Sequence, residues 1–203
     1  KFLLNFVRHN YYSSAWLGHI DFAMWLVRYF NPKVVLELGV DYAHSTFCLS
    51  SELNDNCYIY GIDSFEGETH AGFRNTYEIV KDTYKFLLDY KFLQKDNIKL
   101  IKGYFDDVAK TFNETIDLLH IDGLHTYDAV KNDFETWFPK TSENSIIIFH
   151  DIVSFADDVG KYFDSLPYYK TRIYHSAGLG ILSRNSNIIN IINEKWVNKL
   201  TNE

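Results

Sequence analysis

The chain has 203 residues, 46% of them hydrophobic, which is enough for one domain with a sizeable core and excludes a disordered chain. The formal net charge is −7 and no basic stripe is present, so a nucleic-acid partner is not expected. The apolar runs are too short to span a bilayer, and two cysteines in core-like segments are typical of a reducing compartment, which favours a cytoplasmic protein.

Helix-like and strand-like patterns alternate along the sequence. Apolar residues at helical spacing predict a helix over 14–30, which Asn31-Pro32 ends. Strand-like apolar segments follow at 34–39, 57–63, 97–103, 115–122, 145–151, 168–174 and 179–183. Helices are predicted between and after them at 45–53, 76–92, 106–112, 126–138, 156–166 and from Ile188 onward. This alternation predicts an α/β fold with a Rossmann-like, doubly wound, mostly parallel sheet and helices on both faces, in which the last two strands are close enough to pair antiparallel.

No internal boundary interrupts this pattern, since the chain has only 3 prolines and no Gly/Ser-rich linker. We therefore expect a single domain over 1–203, made of an N-terminal helical cap at 1–32, a catalytic core at 33–185 and a C-terminal helix at 186–203. The first residue is Lys1 rather than Met, so we expect the domain to be part of a longer multidomain chain.

Four acidic residues fall at the carboxyl ends of predicted strands: Glu37, Asp63, Asp122 and Asp151. In open doubly wound sheets, ligands bind outside the carboxyl ends of the strands. A buried strand gains nothing from an anion at its end unless water or a ligand meets that anion. The pattern therefore predicts one ligand-binding crevice along this edge.

The segment ELGVDYAHST leads from the first strand into a helix. Gly39 lets the backbone approach a ligand closely, and the N-terminus of the following helix can donate N–H groups. Asp63 is suitably placed to bind ribose hydroxyls, although a strand-end Asp can equally cap a turn. Neither a glycine-rich pyrophosphate loop nor a Walker sequence occurs, which favours a ribose-bearing cofactor with few phosphates, such as S-adenosyl-L-methionine.

The stretch HIDGLHTYD concentrates ionisable residues after the fourth strand. Asp122 and His125 can face one cleft, and Asp151 would lie on the adjacent strand, so a divalent ion such as Mg²⁺ or Mn²⁺ is predicted on the two carboxylates. His150 is a further candidate for metal and substrate binding, unless strand alternation turns it to the other face. His125 is the candidate general base, because a neutral imidazole accepts a proton near pH 7. His120, flanked by apolar residues, is expected to be structural.

The loop GETHAGF (67–73) is polar, bracketed by glycines and too long for a simple turn, so it is a candidate lid over the site. His70 within it is a candidate substrate contact, although a lone histidine in a loop is more often solvated. Trp16 in the first helix could stack on a sugar, but packing between helix and sheet is the simpler role.

Taken together, ELG, GIDSF, LLHIDGLHTYDAV and IIIFHDI resemble the class I S-adenosylmethionine-dependent methyltransferases. The resemblance is closer to the small branch that is associated with or fused to glycosyltransferases. The segments AWLGHIDFAMWL, GETHAGF, KNDFETWFPK and SAGLGIL extend it from about residue 15 to 183. It implies a seven-stranded sheet with one antiparallel strand near an edge.

The resemblance also implies roles for individual residues. The cofactor contacts would run from the methionine end through the ribose to the adenine: Glu37, Gly39 and Ser45, then Asp63 and Ser64, then Tyr104 and Phe105, with Asp122 beside them. In metal-dependent sugar methyltransferases, positions like Asp122 and Asp151 ligate Mg²⁺, and a histidine three residues after the first acid, here His125, is the base. The chain departs from the pattern with Ala43-His44 at a second-glycine position and with His150 where metal-dependent relatives carry an acid.

The prediction is an S-adenosylmethionine-dependent O-methyltransferase that methylates a sugar hydroxyl of a glycan or glycoconjugate. A glycosyltransferase domain of the same or a neighbouring protein is its expected partner. Three alternatives stay open: a metal-dependent O-methyltransferase of a small catechol-like phenol, a non-catalytic binding domain of a glycan-assembly protein, and another reaction on the same scaffold, such as hydroxylation. Asp122 and His125 argue against the binding domain, since a binding module needs no base.

Overall fold

The computed structural model describes residues 12, 14–69 and 72–198. Nine strands occur in this part of the chain: β1 Val34–Leu38, β2 Tyr58–Asp63, β3 Gly67–Glu68, β4 Gly72–Phe73, β5 Ile98–Lys102, β6 Ile116–Ile121, β7 Thr141–His150, β8 Tyr169–Ile173 and β9 Leu179–Ser183. Seven of them form one sheet in the order β5-β2-β1-β6-β7-β9-β8, and β3 pairs with β4 in a small hairpin.

The large sheet is parallel except at one strand. From β5 to β7 every neighbouring pair is parallel, whereas β9 runs antiparallel to both β7 and β8. The predicted seven-stranded, mostly parallel Rossmann-like sheet with one antiparallel strand near an edge is therefore confirmed. Because β1 lies between β2 and β6, the carboxyl ends of these central strands meet at one edge.

The helices follow the predicted order along the chain. They are α1 Ile20–Phe30, α2 His44–Ser51, α3 Tyr77–Asp89, α4 Phe105–Ala109, α5 Tyr127–Trp137, α6 Lys161–Ser165 and α7 Ser186–Ile192. Short 3-10 turns cover Ala15–His19 and Phe138–Lys140, and π-helical turns cover Ala156–Gly160 and Asn193–Val197. Capping fixes the helix ends: Asn31 closes α1 in the left-handed conformation, and the Thr126 side chain accepts from the N–H of Ala129 to begin α5.

Apolar side chains cover both faces of the sheet, which explains why its strands read as unbroken apolar runs. Along β1, Val35 joins the cluster that contains α1 and Phe47, while Leu36 and Leu38 join the opposite cluster around Trp137. Cys48 and Cys57, expected in the core, are both buried. Across the described residues, no helix is both long and apolar enough to cross a membrane.

Two elements differ from the sequence-based expectation. The loop predicted over 64–75 contains the β3–β4 hairpin, which is so tight that a Cβ on Gly67 would lie 2.1 Å from the carbonyl oxygen of Gly72. Both glycines have positive φ, so the hairpin depends on residues without a side chain. In addition, β7 begins at Thr141, four residues earlier than predicted, because its polar start still pairs with Ile116 across a register shift.

Candidate active site

A cavity of about 550 Å³ opens at the carboxyl ends of β1, β2, β5, β6 and β7. This is the position that an open parallel sheet gives to its ligand, and the volume suits a small-molecule site. Most of the predicted site residues line it: Gly39, Ser45, Asp63, Ser64, Tyr104, Phe105, Asp122, His125, His150 and Asp151. Glu37 is not in the wall, and His70 lies outside the described residues.

Gly39 lets the loop after β1 pack directly against the loop after β6. Its φ is +91°, and a Cβ at this position would lie 1.9 Å from the carbonyl oxygen of Asp122. The close approach of the two backbones therefore requires glycine. It brings the loop that leads into α2 next to the loop that carries Asp122 and His125.

Asp63 organises the same edge through its carboxylate. Its Oδ2 accepts from the N–H groups of Val40 (2.7 Å) and Asp41 (2.9 Å), and its Oδ1 accepts from the N–H of Phe65 (2.6 Å). The turn-capping role considered for this residue is thus present. A carboxylate offers about four lone-pair positions, so one further donor, such as a ribose hydroxyl, could still bind.

Glu37 lies beneath the cavity and is fully buried. Its carboxylate accepts from the hydroxyls of Ser45 and Thr46 and from Nδ1 of His120, at 2.8 Å. The indole N–H of Trp16 donates to Nε2 of His120 at 3.2 Å. Since an indole can only donate, His120 carries its proton on Nδ1 and donates it to Glu37. Glu37 therefore contacts protein donors below the cavity, its contact with the cofactor stays a prediction, and His120 has the structural position expected of it.

At the other end of the cavity, two histidines and two aspartates form a compact cluster. His125 Nε2 lies 2.9 Å from Oδ2 of Asp151 and 3.5 Å from Oδ1 of Asp122. His150 Nδ1 lies 3.1 Å from Oδ2 of Asp151 and 3.3 Å from Oδ1 of Asp122. His150 thus turns toward Asp122 rather than away from it, and the ring of Phe155 stacks on His125 at 4.4 Å.

Charge is balanced within this cluster. Burial would raise the pKa of Asp122, but His150 and His125 outweigh that effect and hold the pKa well below its ordinary value. The same imidazoles lower the pKa of Asp151 against the effect of burial. Burial lowers the histidine pKa values, yet the two carboxylates raise them to about 9 for His125 and about 10 for His150. Without ligands, both imidazoles are therefore protonated at neutral pH.

The cluster also fits a divalent cation. One ligand atom from each of Asp122, His125 and Asp151 lies within 4.8 Å of the others. The predicted set had His150 in place of His125, but the structure groups His125 with the carboxylates. Two oxygens and one imidazole nitrogen suit an ion that accepts both donor types better than they suit Mg²⁺, which prefers oxygen.

A turn between β8 and β9 packs next to the cluster and contacts two of the segments around it. His19 Nε2 donates to the carbonyl oxygen of Ser176 at 2.8 Å, and burial lowers the pKa of His19 to about 3, so its ring is neutral. A Cβ on Gly18 would overlap the Ser176 hydroxyl, so the two segments touch. The carbonyl oxygen of Ala177 accepts from the N–H of Val153, just after β7. The turn therefore holds both the N-terminal 3-10 segment and the loop after Asp151.

Sequence reasoning missed two features of the cavity. Asp133 on α5 lines it and is buried, and its place between Val130 and Phe134 on the apolar side of the helix was an available signal. At the rim, Arg74 bonds both oxygens of Asp41, with Nε–Oδ1 at 3.0 Å and a second contact at 2.6 Å. The second feature joins residues 33 positions apart, and the sequence contains no signal for it.

Comparison with known proteins gives a consistent picture. A family described as "Methyltransferase domain" matches residues 36–152, more than half of the chain. An uncharacterised protein of Sinorhizobium fredii, y4gI, is 35% identical over 146 residues, which is 68% of this chain. The chain spans only 15% of the length of that curated relative.

Solved structures share the fold at low identity. An O-methyltransferase from Bacillus cereus in complex with SAH has a TM-score of 0.65 at 15% identity, and 90% of each chain is covered. A proposed caffeoyl-CoA O-methyltransferase from Staphylococcus aureus has a TM-score of 0.61 at 19% identity, over 80% of this chain and 81% of that one. At these identities the likeness supports the arrangement of the strands and helices alone.

Proposed function

The chain belongs to the methyltransferase-domain family, and on that basis we propose that it is an S-adenosyl-L-methionine-dependent O-methyltransferase whose acceptor is a sugar hydroxyl. The prediction of a methyltransferase is confirmed by the family match. One observation carries the proposal. A single cavity joins the Gly39 and Asp63 loops at one end to the cluster of Asp122, His125 and Asp151 at the other.

The cofactor would occupy the end of the cavity near β1, β2 and β5. Asp63 keeps room for a ribose hydroxyl while it holds its own loop, and Ser64 stands beside it. The rings of Tyr104 and Phe105 supply flat apolar surface for adenine. Glu37 would act indirectly, since it fixes Ser45 at the start of α2.

The acceptor would lie over the cluster after β6 and β7. Its oxygen attacks the sulfonium methyl carbon, the carbon–sulfur bond breaks with its electron pair going to sulfur, and S-adenosylhomocysteine leaves. His125 is the base that takes the hydroxyl proton, with Asp122 and Asp151 holding its ring. A base must start neutral, so the rate is expected to rise with pH toward the His125 pKa of about 9.

Asp122 and Asp151 are the residues that would hold a divalent cation, with His150 next to them; His125 completes the ligand group only when it is not serving as the base, because a nitrogen bound to a cation cannot accept a proton. When bound, such an ion would orient neighbouring hydroxyls and lower the pKa of the acceptor. The chain itself contributes a fixed ligand geometry, because Asp151 adopts a left-handed conformation (φ 63°) that turns its carboxylate back toward His125.

The polar character of this end favours a polyol over a flat phenol. Two carboxylates and two imidazoles meet the cavity there, and they can bind neighbouring hydroxyls of a sugar. A catechol-like phenol is the second candidate, because the similar Staphylococcus aureus structure is that of a proposed caffeoyl-CoA O-methyltransferase. The glycosyltransferase partner implied by the sequence resemblance stays a prediction.

The deciding experiment separates cofactor binding from turnover. Calorimetry with S-adenosylhomocysteine should show binding to the wild type and, within about threefold, to His125→Ala. Release of S-adenosylhomocysteine, measured over panels of monosaccharides, nucleotide sugars and catechols with and without EDTA, should fall by about 10²- to 10⁴-fold in that variant. Lys85→Ala, which removes an exposed side chain outside the cavity, is the control.

Three outcomes would contradict the proposal. A wild type that does not bind S-adenosylhomocysteine would remove the cofactor assignment. Loss of cofactor binding in His125→Ala would show that this residue binds the cofactor and is not the base at the acceptor end of the cavity. Methylation of catechols but of no sugar would show that the acceptor is a phenol, and the assignment of methyl transfer itself would stand.

A further inference from the structure

His19 is a buried histidine that lies next to the acid–histidine cluster but outside the cavity wall. Its neighbours Trp16 and His150 line the cavity, whereas His19 does not. The ring centroids of His19 and His150 are 5.6 Å apart, and the two rings are nearly perpendicular, at 86°. Any effect of His19 on the reaction therefore has to pass through a neighbour, and His150 is the neighbour that contacts the two carboxylates.

One nitrogen of each of these two rings has no partner. His19 Nδ1 and His150 Nε2 are both buried, and neither makes a hydrogen bond within the part of the chain that the structure describes. Because both atoms are buried, solvent in the cavity does not reach them either. Buried polar atoms in native proteins are nearly always paired with a protein group or an ordered water, so two such atoms on adjacent rings point to one shared partner.

The opposite nitrogens show how each ring is turned. His19 Nε2 lies 2.8 Å from the carbonyl oxygen of Ser176. A carbonyl can only accept, so the hydrogen of the neutral His19 ring is on Nε2, and Nδ1 carries a lone pair. His150 Nδ1 faces the carboxylates of Asp122 and Asp151 and therefore carries a hydrogen. The shared partner must accordingly donate to His19 Nδ1.

Packing holds the His19 ring as firmly as its hydrogen bond does. The ring of His175 stacks on it at 5.0 Å with 25° between the planes, and the ring of Trp16 meets it edge to face at 6.1 Å. Gly18 lets the Ser176 turn come close, because a Cβ at this position would overlap the Ser176 hydroxyl. A ring held on one face, at an edge and at Nε2 presents Nδ1 in a single direction, which suits a residue that orients its neighbour.

We propose that one buried water molecule joins His19 Nδ1 to His150 Nε2, and that His19 is thereby the positioning residue that keeps Nδ1 of His150 turned toward Asp122 and Asp151. The water donates one hydrogen to His19 Nδ1. It donates its other hydrogen to a bare Nε2 of His150 or accepts from a protonated one, so the link does not depend on the charge of His150.

The link prevents a rotation of the His150 ring. A half-turn about the Cβ–Cγ bond would exchange Nδ1 for a carbon atom, and the carboxylates of Asp122 and Asp151 would lose a donor. The consequence for turnover rests on the proposed function, since it takes the two carboxylates to hold the base and the cation. The orientation of the ring is a property of the protein alone, so it can be measured without any substrate.

Two measurements on the wild type test the link. A high-resolution crystal structure should show one water within about 2.7–3.2 Å of both His19 Nδ1 and His150 Nε2. Nitrogen NMR of histidine-labelled, metal-free protein should show a hydrogen on Nε2 but not on Nδ1 of His19, and a slowly exchanging hydrogen on Nδ1 of His150. The absence of a water peak between the rings, or a hydrogen on Nδ1 of His19, would overturn the proposal.

Two variants separate positioning from a purely structural role. In His19→Asn the side-chain oxygen replaces Nδ1 as the acceptor, but the contact with Ser176 is lost. In His19→Gln the amide nitrogen keeps the donor to Ser176, but nothing replaces Nδ1. The Nδ1–H signal of His150 should therefore remain in His19→Asn and be lost in His19→Gln. The reverse pattern would show that His19 only holds the turn, and equal signals in the two variants would likewise overturn its positioning role.

Calorimetry separates this inference from the proposed function. Both variants should bind S-adenosylhomocysteine within about threefold of the wild type, because His19 lies outside the cavity wall. If the wild type does not bind this ligand, the proposed function falls, and the NMR and crystallographic results still decide the role of His19. If a variant does not fold, the two measurements on the wild type decide that role alone.

Discussion

Replacing His120 by leucine should be among the most destabilising single changes in the protein. His120 and Glu37 are fully buried and Trp16 is 2% exposed, so none of the three can turn to water for a new partner. The substitution removes one charge-assisted donor from the Glu37 carboxylate, worth about 1.5–3 kcal/mol, and leaves the Trp16 indole N–H without an acceptor, at about 1–3 kcal/mol. Leucine regains part of this through its apolar surface, so a net loss of about 3–4 kcal/mol is expected, against a typical total of about 5–15 kcal/mol.

Urea unfolding of the wild type and four variants measures this loss and tests the link between the residues. Trp16→Phe alone should cost about 1 kcal/mol, and the double variant should cost less than the sum, because the indole donor matters only while His120 accepts it. Lys85→Leu, at an exposed position of α3, should stay within about 0.5 kcal/mol of the wild type. A loss below about 1 kcal/mol for His120→Leu, or strict additivity with Trp16→Phe, would refute the hydrogen-bonded chain.

Three further predictions concern the cavity. In metal-free protein, the raised pKa values of His125 (about 9) and His150 (about 10) stabilise the fold fully below pH 6.5, and this stabilisation is lost as the pH rises through 9 to 10. The urea midpoint should therefore fall between pH 6.5 and 10, and an unchanged midpoint would refute the ion pairs. Gly123→Ala should cost about 1–3 kcal/mol and weaken S-adenosylhomocysteine binding, because the new methyl group meets the Phe105 ring; unchanged stability and unchanged binding would show that the ring moves aside easily. Arg74→Met should change the unfolding free energy by less than about 1 kcal/mol yet speed the release of bound S-adenosylhomocysteine in stopped-flow measurements, and an unchanged release rate would show that the rim contact does not close the cavity.

The sequence was sufficient to predict the sheet and the edge where the site lies. Unbroken apolar runs identified the parallel strands, and acids at their ends marked the binding edge. The register then brings these ends together, since β6 pairs with both β1 and β7. Asp122, His125 and Asp151 are close in space because β6 and β7 are neighbours and because His125 follows Asp122 by three residues. Both features could be predicted from the sequence.

Side-chain partners across the fold could not be predicted in the same way. Whether Glu37 faces a ligand or a protein donor depends on His120, 83 positions away. The raised pKa of His125 likewise depends on how the carboxylates of Asp122 and Asp151 turn toward its ring, which no residue pattern encodes. Asp133 could have been noticed, but a lone acid on an amphipathic helix is ordinarily solvated, and only the packing of Gly123 against Phe105 gives it a distinct environment.

The turn between β8 and β9 has a consequence for the smallest active unit. The segment that identifies the family covers 36–152, yet His19 and Ser176, which support the far wall of the cavity, lie on opposite sides of it. A protein trimmed to the matched segment would keep the recognisable centre and leave β7 as an open edge without β9. The far wall of the cavity therefore depends on segments from both sides of the matched region, so the segment that identifies the family is shorter than the part of the chain that builds the cavity.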